Sequence, residues 1–289
     1  MAYGSPETIA DVAPYFTHIR GGVRPKDEHI QNLEARYKAV GGKTPLYEIT
    51  KKQAAELQKK LDEKHGAGAY KVFIGMKHWH PYIKEVLAEI RKEGIAEVIA
   101  IALAPHYSKI SIGGYQKALD EAGEGMNIKL VKSYHTNQAL LACIEDQISE
   151  KLKATDFKSK PHIIFTAHSL PERIRTWDDP YEKQLLETSR LVAEKFPEYD
   201  WSFSFQSEGH TGEPWIGPDI LNTLRSLKAS GETSVIICSV GFVADHLEIL
   251  FDLDVEAQEL AHELGLEVVR TDSRNAHPLF IEALSSLVE

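Results

Sequence analysis

At 289 residues, with 43% apolar and 26% charged residues, the chain has the composition of a globular protein and enough apolar side chains for a large core. Its 43 Asp and Glu outweigh 33 Lys and Arg, and a net charge of −10 excludes a general binder of nucleic-acid backbones. No apolar run nears the ~18 residues of a membrane span and no basic-then-apolar leader opens the chain, so the expected address is the cytoplasm, with no membrane partner.

Short β-rich runs alternate with longer amphipathic stretches from end to end. Helical patterns are expected over Thr50–His65, Pro81–Glu93, Asn137–Lys153, Tyr181–Phe196 and Asp245–Leu264. Between and around them, strands are expected at Tyr70–Gly75, Glu97–Ala104, Ile128–Lys132, His162–Ala167, Trp201–Gln206, Ser234–Val240 and Leu266–Arg270. Near-continuous apolar strands joined by helices predict parallel sheets covered on both faces, an α/β protein of doubly wound type. The most polar interval, Lys151–Pro161, falls midway, and the boundary between two βαβ lobes is placed just upstream of it, near Ser133–Thr136. Cys143 and Cys238 lie far apart in apolar contexts and form no C-x-x-C unit, which excludes an iron–sulfur cluster or structural zinc and leaves two buried thiols.

A faint repeat runs through the two halves. Met1–Pro6 (MAYGSP) and Thr166–Pro171 (TAHSLP) share Ala, then Tyr or His, then Pro. The second strand of each half leads into a loop with Trp and Pro, and the third ends in APHYS or VGFVADH. The repeat sets Tyr3 and His168 in equivalent places on opposite walls of one cleft. It also predicts a strand ahead of Tyr3, where the sequence begins at Met1.

Ligands of open parallel sheets sit beyond the carboxyl ends of the strands. His168 follows such a strand, and its ring suits a base or a metal ligand; loop histidines without a role are commoner. In Gly241–Glu256 (GFVADHLEILFDLDVE), Glu248, Asp252 and Glu256 recur at i, i+4 and i+8, which aligns three carboxylates on a helix face. A solvated acidic face and a row of oxygen ligands for a hydrated divalent cation explain that stripe about equally well. Arg20, Arg24 and Arg36, with Tyr37, Thr44 and the GGKTPL loop, offer donors for carboxylates, although from composition alone ordinary surface arginines are the better reading. Tyr107 and Tyr115 fit packing roles with a hydrogen-bonding tip.

With these segments in order, the chain resembles the ferrochelatases. FTAHSLPERI (Phe165–Ile174), QSEGHTGEPWIGPD (Gln206–Asp219) and SVGFVADHLEILFDLDVE (Ser239–Glu256) are similar to that family's signature segments. THIRGG, GGKTPL and LAPHYS match further ones in the same order. The resemblance implies two similar Rossmann-like lobes, residues 1–134 and 135–270, around a porphyrin cleft, with a C-terminal helix within 271–289 returning to the first lobe. It assigns His168 and Glu248 to the iron site and Asp252 and Glu256 to the acidic ladder leading there. It makes Tyr3 an axial ligand to the product iron, a feature of the bacterial form acting on coproporphyrin. Arg20, Arg36, Tyr37, Thr44 and Tyr115 become porphyrin contacts, Thr44 standing where the family pattern has Ser.

The implied reaction is insertion of Fe2+ into coproporphyrin III in haem biosynthesis, a lyase reaction in which two pyrrole protons leave as the metal enters. No organic cofactor is expected, Fe2+ is a substrate, and the partners are porphyrin and iron, with no nucleic acid and a monomeric chain. A cleft that bends the macrocycle would expose its nitrogen lone pairs, His168 taking a pyrrole proton and Glu248 delivering iron or taking the second. The alternatives are a protoporphyrin IX ferrochelatase, a cobalt or nickel chelatase, and a non-catalytic haem or porphyrin carrier on the same fold.

Overall fold

A computed structural model describes residues 1–95, 97–209 and 212–288. The first half opens with helices α1 (Val12–Ile19), α2 (Asp27–Ala39), α3 (Leu46–His65) and α4 (Ile83–Lys92). Strand β1 (Glu97–Ile101), α5 (Ile112–Ala122) and β2 (Asn127–Val131) follow, the two strands pairing in parallel. The second half runs α6 (Gln138–Ala154), β3 (His162–His168), α7 (Tyr181–Ala193), β4 (Trp201–Gln206), α8 (Ile220–Ala229) and β5 (Ser234–Cys238). It ends with α9 (Leu247–Phe251), a π-helical turn (Asp252–Glu256), α10 (Ala257–Leu264), β6 (Glu267–Arg270) and α11 (Pro278–Ser286). Strands β4-β3-β5-β6 form one parallel sheet.

The β3 sequence explains its central place. Ile163 and Phe165 point into one apolar cluster with Leu140, Ile144 and Leu185, while Ile164 points into another with Val235, Ile237, Leu224 and Leu253. A strand buried on both faces needs this unbroken apolar run. Asn137 and Asp219 start α6 and α8 by accepting backbone N–H bonds on their side chains, each cap worth ~1 kcal/mol. A third cluster, from Ile83 and Leu87 of α4, Ala100 of β1 and Ile112 of α5, anchors the first half. Helix α11 packs on both α6 and α3, with Phe280 and Ile281 in the cluster that holds Leu57 and Leu61. Among the described residues, no helix is long and apolar enough to cross a membrane.

One expected strand, Tyr70–Gly75, is not a regular strand. Its neighbour is the extended Met1–Tyr3 segment, which reaches only its carboxyl end: Ala2 N–H donates to Gly75 O, and Lys77 and His78 N–H donate to Ala2 and Tyr3 O. With no ladder along Tyr70–Ile74, Val72 N–H turns to the Gln58 side chain instead. On its other side Met1–Tyr3 meets the end of β1, through Leu103 N–H to Met1 O. Tyr3 therefore stands to its neighbours as His168 stands to β4 and β5, which is the arrangement the sequence repeat predicts.

The LAPHYS segment docks on α7 and on the loop before it. Asp179 accepts from Ser108 Oγ at 3.0 Å and Lys109 N–H at 2.7 Å, and Gln184 Oε1 accepts from Tyr107 N–H at 2.7 Å. His106, 2% exposed, contacts Thr188 Oγ1 through Nε2 at 2.9 Å. Thr188 spends its own proton on backbone carbonyls, so His106 Nε2–H is the donor and its Nδ1 is buried without a partner. Burial, with the charge of His135 beside it, pushes His106 down to about 3. Below the ordinary imidazole value near 6.5 the unfolded chain binds a proton that the folded chain refuses, so stability falls with acidification. The expected slope is about 1.4 kcal/mol per pH unit between roughly 6.5 and 3. A His106→Gln variant should lose that slope, one proton fewer in the pH dependence of urea unfolding; an unchanged acid limb would contradict it.

Candidate active site

Two lobes contribute to one cleft. On the second-lobe wall, His168 ends β3, and its backbone is held by Tyr181 OH donating to His168 O at 2.9 Å. Gly241, just past the end of β5, sits so near β3 that a Cβ there would lie 2.4 Å from Ala167 Cβ. That close approach brings the Gly241–Glu248 loop over the end of β3. Gln206, at the end of β4, donates from Nε2 to Glu248 O at 3.0 Å.

His168 Nδ1–H donates to Ser169 O, and Nε2 faces Glu248 Oε1 at 3.4 Å. The other carboxylate oxygen faces His246 Nε2 at 3.2 Å, and His246 Nδ1–H donates to Ala244 O. Each ring is thus fixed by a backbone carbonyl with Nε2 turned to the same carboxylate, the support that metal-binding imidazoles commonly have. Bonds of 2.0–2.1 Å to one ion from atoms 3.4 Å apart subtend roughly 110°, the tetrahedral angle. The pair therefore suits a divalent ion between Nε2 and Oε1.

Without an ion the pair holds a proton. Burial disfavours the charged ring of His168, but the Glu248 charge and hydrogen bond, the Ser169 carbonyl and Asp252 outweigh it and raise His168 to about 9. Burial likewise opposes the Glu248 charge, yet His168 and His246 hold its carboxyl well below the usual range. An imidazolium–carboxylate pair occupies the site at neutral pH.

The acidic ladder begins at Glu248. A regular helix was the expectation over Asp245–Leu264; the helix instead starts at Leu247 and widens into a π turn, Ala257 N–H bonding to Asp252 O, an i→i+5 bond. Such turns often mark functional sites. Here the turn carries Asp252 inside, 5% exposed, where Ser207 Oγ donates to it and Arg36 Nη1 lies 3.8 Å away. Ser207 has φ of 62°, a left-handed conformation costing a non-glycine residue ~1–3 kcal/mol. Burial raises Asp252 to about 6, opposed by Ser207 and Arg36 and reinforced by Glu248 and Glu256. Glu256, half-buried, is also raised by burial and lies within electrostatic reach of Arg36 and Asp219.

The first-lobe wall faces this pair. Tyr3 is 43% exposed, and its hydroxyl is raised by burial and by Glu248 and Tyr37. Gly4 behind it has φ of 97°, and a Cβ there would lie 2.9 Å from Trp79 N. Tyr37 and Thr44 both meet Ser5 Oγ, at 3.1 and 2.9 Å, in a buried hydroxyl cluster. Tyr115 is 5% exposed, with Lys77 Nζ 5.1 Å from its ring centroid and 5.9 Å from that of Tyr3. Arg36 joins the ladder, stacked 5.0 Å over Phe251, rather than the hydroxyl cluster. Arg20 is exposed at the end of α1.

Sequence reasoning missed four contributors. His246 stands inside a quoted signature and was given no role, although H-x-E spacing was a signal. Lys77, in the GMKHWHP loop, is a half-buried ammonium lowered by burial, with no carboxylate at ion-pair distance among the described residues. Ser207 and Gln206 had no signal in spacing, because a left-handed serine and a buried amide act through backbone geometry.

The protein-family model Ferrochelatase matches residues 1–289. A ferrochelatase of Herpetosiphon aurantiacus is 45% identical over 294 residues, covering 100% of this chain and 96% of that one. A coproporphyrin III ferrochelatase of Halalkalibacterium halodurans is 39% identical, covering 100% and 94%. Among solved structures, SirB from Bacillus subtilis with Fe3+ superposes with a TM-score of 0.60 at 11% identity, over 82% of this chain and 87% of that one, a likeness of fold. This chain belongs to the ferrochelatase family.

Proposed function

We propose that this chain inserts Fe2+ into coproporphyrin III, as a lyase of haem biosynthesis, with His168 and Glu248 handling metal and protons. The observation that carries the reading is the His168 Nε2–Glu248 Oε1 pair, 3.4 Å apart, locked by carbonyls and His246, and within electrostatic reach of Tyr3. Relatives named coproporphyrin III ferrochelatase, full-length and about two-fifths identical, support the substrate. The reading carries with it a cytoplasmic monomer that needs no organic cofactor.

In this mechanism Fe2+ reaches Glu256 and then Asp252 as a hydrated ion, and oxygen ligands replace its waters in turn. Asp252, raised to about 6, exchanges protons readily near neutrality, and Arg36 releases it as the cation arrives. At Glu248 the arriving ion displaces the proton shared with His168, which leaves to solvent. His168 then accepts a pyrrole proton as the metal enters the macrocycle, and Glu248 or solvent takes the second. Tyr3, on the opposite wall, ligates the product iron. Propionates meet Arg20, Arg36, Lys77 and the Tyr37–Thr44 cluster, with Tyr115 beneath.

Coproporphyrin III carries twice the propionates of protoporphyrin IX, and this wall offers cations and hydroxyls for them. A hydrogen bond to a charged group contributes about 1.5–3 kcal/mol, about tenfold or more in an equilibrium constant. In an anaerobic iron-insertion assay, kcat/KM for coproporphyrin III is expected to exceed that for protoporphyrin IX at least about tenfold. Equal or reversed values would move the chain to the protoporphyrin type.

A further inference from the structure

A row of rings leads from Tyr3 to the surface of the first lobe. Tyr3 packs on His78 at 4.5 Å between centroids, His78 on His18 at 5.3 Å, His18 on Tyr82 at 4.9 Å, and Tyr82 on His80 at 4.4 Å. His18 lies in the last turn of α1, and His78 is held by its own N–H donating to Tyr3 O at 2.8 Å. These distant segments bring the two Nδ1 atoms to 3.2 Å.

We propose that His18 and His78 form a second metal site, for a borderline divalent ion such as Zn2+ or Cu2+. Two atoms 3.2 Å apart, each bound at 2.0–2.1 Å, subtend roughly 100° at an ion, an ordinary angle for cis imidazoles. The rings meet edge to face at 75°. The donor set is nitrogen alone, which selects borderline metals over Mg2+ and Ca2+. Among the described residues no third His, Cys, Asp or Glu closes on the pair, so waters fill the remaining positions and the site stays open to solvent. Lys84 acts on His18 and Lys77 on His78, and both cations weaken an ion there. The site is therefore weaker than one built on a carboxylate. Its occupant clamps His78 against Tyr3 and so bears on the wall that receives the porphyrin.

The competing account is a hydrogen bond between neutral imidazoles and nothing more. Isothermal titration of the full chain with Zn2+ separates the two. Wild type should bind two equivalents, and the His168→Ala/Glu248→Gln variant should keep one. His18→Gln, a surface change in a helix end, should weaken that remaining equivalent by about tenfold or more, as should His78→Gln. With Cu2+ in the double variant, electron paramagnetic resonance should show two nitrogen couplings, falling to one in either histidine variant, and Mg2+ should not compete. Zinc binding in the double variant that is absent, or indifferent to His18→Gln, would overturn the second site. If wild type binds a single equivalent sensitive to His18 alone, the second site stands and the His168–Glu248 assignment fails.

Discussion

Replacing His168 by Ala, or Glu248 by Gln, is expected to lower kcat for iron insertion by about 10²–10⁴-fold, the usual worth of a positioned proton-transfer group. Porphyrin affinity, read by fluorescence quenching, should change little. Neither side chain belongs to the wall of Tyr3, Tyr37, Thr44 and Lys77 proposed to hold the macrocycle. Because the two atoms, 3.4 Å apart, would act on one ion and one proton as a unit, the double variant should be only slightly worse than either single one. Asp252→Asn should act differently. It removes a ligand on the way in, so insertion slows at low Fe2+ and recovers as iron is raised. His246→Gln is a positioning change: it loosens Glu248 on one oxygen and should raise the apparent KM for iron more than it lowers kcat. Folded single variants of His168 and Glu248 with activity within a few-fold of wild type would sever the pair from the chemistry and favour a porphyrin carrier.

The parallel architecture was legible because β3 and β5 are buried on both faces and write the continuous apolar runs HIIFTA and SVIIC. Tyr70–Gly75 reads the same way and is not a regular strand: its backbone bonds to Met1–Tyr3 only at its carboxyl end. Local pattern cannot count ladder partners. In the site, His168 and Glu248 were legible as a motif pair, and Tyr3 through the repeat. The π turn was not. An i, i+4, i+8 stripe of acids looks the same in sequence whether the helix is regular or widened, and it does not show that Asp252 is buried with Ser207 donating to it. The Arg36 assignment shows a similar limit: the resemblance makes it a porphyrin contact, and the carboxylate it faces here is the protein's own Asp252.

Metal binding at the His168–Glu248 pair is expected to release a proton and to strengthen about tenfold per pH unit from roughly pH 6.5 to near 9. The sign follows from the empty site. His168 is raised to about 9, so at neutral pH its Nε2 carries a proton and cannot ligate. An incoming cation must expel that proton, and the apparent affinity rises as the proton becomes scarcer, levelling off once pH passes the raised value. Glu248, held below its usual range, stays ionised throughout this window and adds no proton of its own. The same shifts govern stability in the absence of metal. The His168 contribution is present below about 6.5 and lost as pH climbs through about 9; the Glu248 contribution is present above its unfolded value and lost on acidification. Zn2+ titrations in buffers of different ionisation enthalpy measure the proton count directly, with His18→Gln as background to remove the second site. Glu248→Gln removes the charge that raises His168, so burial then dominates the ring and its proton leaves at lower pH. Residual zinc binding in that variant should be weaker and nearly flat above about pH 7. A wild-type protein that binds zinc with no proton released between pH 7 and 8 would mean that His168 is already neutral in the empty site. The carboxylate would then be the only charge the ion meets, and proton acceptance from the pyrrole could begin without prior exchange.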